Sequence, residues 1–156
     1  MVHELIRFDR VATDRGVHND LELRLGRYRH TADSYYLAID DSPTAGATVE
    51  ENLARLLDQW IDRLHGLGAG GAALLPFDFA DQCTAWLRVE SPDGRTAVVQ
   101  AGWSGIEGWS FMPTNIDGGD QPHSLQPIAA ARIECRLCDL VAALEGNRDD
   151  LRGRSQ

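Results

Sequence analysis

There is no lysine among the 156 residues, and all 15 side chains carrying a permanent positive charge are arginines, from Arg7 to Arg154. Chemistry built on a lysine amine is excluded: a pyridoxal Schiff base, a Walker-type phosphate lysine, a kinase β3 lysine, a Ser-Lys dyad. Abundant Arg, Ala and Gly are what a GC-rich bacterial genome produces, so the absence reads as compositional. Positive charge is scarce overall. Against 24 Asp+Glu the formal net charge is −9, and protonating every histidine would not reverse its sign. Nucleic-acid affinity depends on cations that release counterions from phosphate, so no nucleic-acid partner is expected. The nearest cationic group, Arg24, Arg27, Arg29 and His30, lies among carboxylates and reads as a solvated edge.

Cysteine is also sparse. Cys83, Cys135 and Cys138 make three, an odd count poorly suited to a secreted disulfide frame. Long apolar runs are missing. Glu4, Arg7, Asp9 and Arg10 interrupt the first stretch, and nothing approaches the roughly 18 apolar residues of a membrane span. A cytoplasmic protein without a membrane partner is expected.

What remains is an ordinary globular composition, 43% hydrophobic and 25% charged. A chain of this length can bury roughly 70% of its unfolded surface without staples. A single α+β domain is expected over 1–146, with the polar, arginine-rich 147–156 as a flexible tail.

Leu5, Phe8 and Val11 do not separate strand from helix, but the alternation of Leu21, Leu23 and Leu25 with Glu22 and Arg24 is that of a half-buried strand. Ser34 to Ile39 reads as its neighbour, with the turn at His30 to Asp33. Thr48 and Glu51 form a capping box ahead of Val49, Leu53, Leu56, Leu57, Trp60 and Leu64, at helical spacing. The glycine group Gly66 to Gly71 follows a helix instead of a strand, so it is a terminator and not a phosphate loop.

Ala72 to Phe79 reads as extended, bending at Pro76. Ser91-Pro92-Asp93-Gly94 then predicts a hairpin of Cys83 to Glu90 with Arg95 to Trp103, setting Leu87 opposite Val99. The same register sets Ala85 opposite Ala101 and Val89 opposite Ala97. One face is wholly apolar; Trp86, Arg88 and Glu90 take the other. Pro127 opens a second helix through Ile133, Leu137, Leu140, Val141 and Leu144, stopped by Gly146. The fold class is α+β, a mostly antiparallel sheet with two main helices packed on one face.

Four constellations bear on chemistry. Cys135 and Cys138 match C-x-x-C, but redox pairs sit where a strand gives way to a helix, whereas this pair falls inside the expected helix. Neither a metal nor a disulfide is expected there. Gly102-Trp103-Ser104-Gly105-Ile106 misses the serine-hydrolase elbow by one place. Asp78 with Asp81, and Asp117 with Asp120, could hold a cation or do acid–base work, but turn formation explains both more simply. Trp86, Trp103 and Trp109 are the most unusual group; Trp103 and Trp109 lie in a doubled Gly-Trp-Ser whose glycines leave open space above those two rings. Such rings stack ligands or anchor interfaces when exposed.

The leading expectation is a non-catalytic binding module, an acidic domain docking a basic protein in the manner of an inhibitor or immunity protein. Its site would comprise Trp86, Trp103, Trp109, Glu107, Asp78 and Asp81, with no cofactor, metal or catalytic residue. The alternatives are a small hydrolase with Asp78, Asp81, Glu107 and His123 in a cleft, or a binder of sugars or small ligands.

Overall fold

The computed structural model describes residues 5–11, 19–34, 36, 48–80, 82–108, 113, 115–119 and 121–155. They form an α+β fold of two antiparallel sheets and two long helices. The first sheet has the order β1 (Ile6–Arg10), β2 (Leu21–Leu25), β3 (Tyr28–Ala32). Leu21, Leu23 and Leu25 are buried as their alternation requires, and Leu23 pairs with Phe8.

The β2–β3 turn lies earlier than expected. Leu25 pairs with Tyr28 across Gly26 and Arg27, and Gly26 sits at φ +59°, a left-handed conformation that a glycine adopts without strain. His30 is therefore strand, not turn, and Ser34 lies in a turn beyond it. The strand expected at Ser34 to Ile39 is not found at Ser34, and residues 35 and 37–40 lie outside the described residues.

Helix α1 (Val49–His65) starts as the capping box predicts: Thr48 Oγ1 accepts the Glu51 N–H at 3.1 Å. Its apolar stripe is buried, and the Trp60 indole stacks on Phe8 at 5.8 Å while donating to the Pro76 carbonyl at 3.0 Å.

The second sheet runs β4 (Gly71–Asp78), β5 (Thr84–Ser91), β6 (Thr96–Ser104), β7 (Gln126–Arg136). Ala85, Leu87 and Val89 share one buried face with Ala97, Val99 and Ala101, as expected. Their register differs: Leu87 pairs with Ala101, Val89 with Val99 and Ala85 with Trp103. An even slip preserves the faces. Its cause is the loop, where the Asp93 carboxylate gathers the N–H groups of Arg95 and Thr96 and the Thr96 hydroxyl, widening the turn around Gly94 at φ +78°.

β7 corrects the helix expected to open at Pro127. Ala131, Ile133 and Cys135 point inward between the exposed Arg132, Glu134 and Arg136, a period of two that the helical spacing of Ile133, Leu137 and Leu140 disguises. Where the pairing with β6 shifts, Gln100 donates to the carbonyls of Ile128 and Ala131, both at 3.1 Å.

The second helix, α2 (Leu137–Ser155), passes through Gly146 and takes in residues 147–155 of the span expected as a flexible tail. Leu151 is buried, as is Asn147, whose side-chain amide accepts the Phe8 N–H at 2.7 Å and donates to the Phe8 carbonyl at 3.0 Å. It thus satisfies the open edge of β1. Arg148 and Arg152 bind Asp58 of α1, and Arg154 binds Asp9. The helices pack on each other and on β1, α1 also reaching β4 and α2 reaching β6 and β7. No helix among the described residues is long and apolar enough to cross a membrane.

Candidate functional site

The site begins with an irregularity in β4. Leu75 pairs with Leu87 and Pro76 with Trp86, but the next pair is Asp78 with Ala85, leaving Phe77 as a bulge. A bulge adds one residue and re-aims the side chains beyond it. Asp78 is thereby turned onto the face of Ala85 and, across the next ladder, of Trp103.

His30 enters from β3 of the other sheet. Its Nε2 lies 2.8 Å from Asp78 Oδ2, and its Nδ1 lies 3.2 Å from the Tyr28 hydroxyl. The ring stands edge-on to Phe77 at 4.9 Å and tilts against Trp103 at 5.5 Å. The other Asp78 oxygen accepts the Ala80 N–H at 3.2 Å. Burial, and then the negative charge of Asp78, push the Tyr28 hydroxyl above its ordinary pKa, so it stays protonated at neutral pH.

Tyr28, His30 and Asp78 form a continuous polar chain joining the two sheets. Trp103 lies at its edge, 36% exposed, and among the described residues it is the exposed large hydrophobic. A ring so supported loses little freedom on contact.

Of the residues the sequence singles out, the structure brings Asp78 and Trp103 together. Trp86 is not with them: it lies on the opposite face between Pro76 and Gly102, fully buried, its indole donating to Thr84 Oγ1 at 2.7 Å. Glu107 is exposed just past the end of β6. Trp109 and Asp81 lie outside the described residues, as does Asp120. Asp117 is held by Arg63 at 2.6 Å, and His123 is exposed. Asp78 is buried and held by His30 and the Ala80 N–H.

Tyr28 is not among the residues the sequence singles out, and His30, expected on a solvated edge, is buried instead. Their signal is present in Tyr28, His30 and Ala32, alternating with Arg29 and Thr31, but assigning His30 to a turn hides it. Among the described residues no group of three or more His, Cys, Asp and Glu is placed to hold a metal ion.

The cysteine pair is also placed differently from expectation. Cys135 is the penultimate residue of β7, opposite Ala97, whereas Cys138 is the second residue of α2, so the pair straddles a strand-to-helix junction. Compared with known families, curated proteins and solved structures, the chain matches none.

Proposed function

We propose that the protein is a non-catalytic docking module of the cytoplasm that binds a basic protein, in the manner of an inhibitor or immunity protein, with Trp103 as anchor. The observation that carries this reading is a large aromatic ring left 36% exposed on a rigid strand and backed by a fully bonded polar chain. Leaving an indole in water forgoes burial that a partner can recover, and such rings dominate interface energetics. The formal charge of −9 would speed encounter with a cationic partner and repel acidic ones.

Hydrolysis fits less well. His30 and Asp78 are both buried and bonded to each other, so little of this chain of groups is open to a substrate.

The test is affinity capture with wild-type protein and Trp103→Ala, followed by identification of the retained protein. A basic protein should be held by the wild type, released by raised salt, and lost with the variant, while the melting temperature changes little. Truncating such an anchor costs on the order of 2 kcal/mol or more of binding. Retention unaffected by the variant, or a variant that unfolds, would remove Trp103 from the role.

A further inference from the structure

Reactive thiols are found in Cys-X-X-Cys motifs and at helix N-termini, where the dipole favours the thiolate. Cys135 and Cys138 combine the two, as a C-x-x-C pair ending in the first turn of a helix. Cys135 is half-buried in β7, Cys138 is exposed in the first turn of the 19-residue α2, and the junction between them is anchored to the start of β6 by the Leu137 N–H donating to the Arg95 carbonyl at 2.7 Å. Cys138 also lines a groove of about 850 Å³, between the end of α1, the β5–β6 loop and the start of α2. Leu64, Leu67 and Val141 contribute apolar wall, and Arg95 and Arg136 line it without an ion pair among the described residues. A small disulfide can therefore reach one thiol of the pair, while the other is shielded.

We propose that Cys135 and Cys138 are a reversible dithiol pair, oxidised by a low-molecular-weight disulfide that enters this groove. The Cys138 thiol loses its proton to solvent and its sulfur attacks one sulfur of the incoming disulfide. That sulfur–sulfur bond breaks, a mixed disulfide forms on Cys138, and the first small thiolate leaves and takes up a proton. Cys135 then loses its proton and attacks the Cys138 sulfur, forming the internal disulfide and releasing the second small thiolate, which is likewise protonated. Two protein thiols are oxidised by two electrons, and one small disulfide is reduced to two small thiols.

The order of attack follows from exposure. Cys135 packs against the core, and burial, with the charges of Asp139 and Cys138, pushes its thiol above the usual pKa. It therefore waits for the mixed disulfide to form beside it. Cys83, also half-buried, precedes β5 and does not line the groove.

The experiment equilibrates the full chain with mixtures of reduced and oxidised glutathione, alkylates the remaining thiols, and maps each cysteine by mass spectrometry. Wild-type protein should lose two hydrogens, with Cys135 and Cys138 linked and Cys83 alkylated. Cys135→Ser should stop at the mixed disulfide on Cys138. In Cys138→Ser, modification of Cys135 should be slowed at least about tenfold. The Cys135→Ser, Cys138→Ser double variant should still unfold cooperatively, with a modest fall in melting temperature from lost packing at Cys135, and should take up no glutathione at either position. A wild-type mixed disulfide that persists on Cys138 while Cys135 stays alkylatable would overturn the proposal. Faster reaction at Cys135, or linkage through Cys83, would overturn it equally.

Discussion

His30 shows how one side chain can set the meaning of several others. At 9% exposure it is nearly buried, yet both nitrogens have partners, so it costs the core little. Removing it would strand the Asp78 carboxylate with only the Ala80 N–H and leave Trp103 leaning on a void. His30→Ala should therefore lower stability by about 1–3 kcal/mol, seen as a lower urea midpoint, and should raise quenching of Trp103 by iodide. A variant as stable as wild type would mean that the polar chain does not tie the sheets. The sequence names Asp78 and Trp103 as candidates, since each stands beside a visible irregularity. Their meeting through His30 is not legible there, because a bulge at Phe77 decides which face Asp78 takes, and no local pattern announces it. Trp86 differs from expectation for a related reason: alternation assigns it correctly to the second face, but says nothing of whether that face is covered.

At the scale of elements, the β5–β6 loop ties its geometry to pH. The N–H groups of Thr96 and then Arg95, with the Thr96 hydroxyl, stabilise the charged Asp93 and lower its pKa to about 2. Asp9 is also lowered: burial opposes its ionisation, but the bonds from Arg154, Arg10 and Arg7 outweigh it. The sign comes from linkage: a carboxyl depressed in the folded state leaves the unfolded chain binding protons first, so its contribution is present above the unfolded value near 4 and fades as pH falls through the folded value. Urea unfolding should show stability declining below about pH 4, and the decline should be shallower in Asp93→Asn. An equally steep acid limb in the variant would assign that limb to other carboxylates. The faces of this hairpin are legible from alternation, whereas its register is not. Pro-Asp-Gly admits a tight turn, but the Asp93 side chain selects a wider one. The boundary at Arg136 and Leu137 is hidden too, because Ile133, Leu137, Leu140 and Leu144 continue a helical period backwards into a strand.

Across the whole molecule the two sheets share no ladder among the described residues, so the union seen there depends on side chains. One apolar cluster runs from Phe8 and Leu23 through Trp60, Leu87 and Val99 to Leu140, Leu144 and Leu151. Gly26 supports the same junction: a Cβ there would stand 2.8 Å from Ile133 Cγ2, so the approach of β2–β3 to β7 needs its bare backbone. The far end of α2 closes this core, contributing Leu151, the amide of Asn147 and the arginines that reach Asp58 and Asp9. Unfolding should therefore be one event, with far-UV circular dichroism and the fluorescence of buried Trp60 and Trp86 changing together. Ending the chain after Gly146 provides the sharper test. It would expose the Phe8 backbone edge, remove the Leu151 side chain and unpair Asp58, losses that together compare with the 5–15 kcal/mol total stability typical of a native protein. The truncated chain should show no cooperative transition, or a melting temperature lowered by tens of degrees. If it melted as the full chain does, residues 147–156 would be dispensable, and the flexible tail that their polar composition suggests would be the better description.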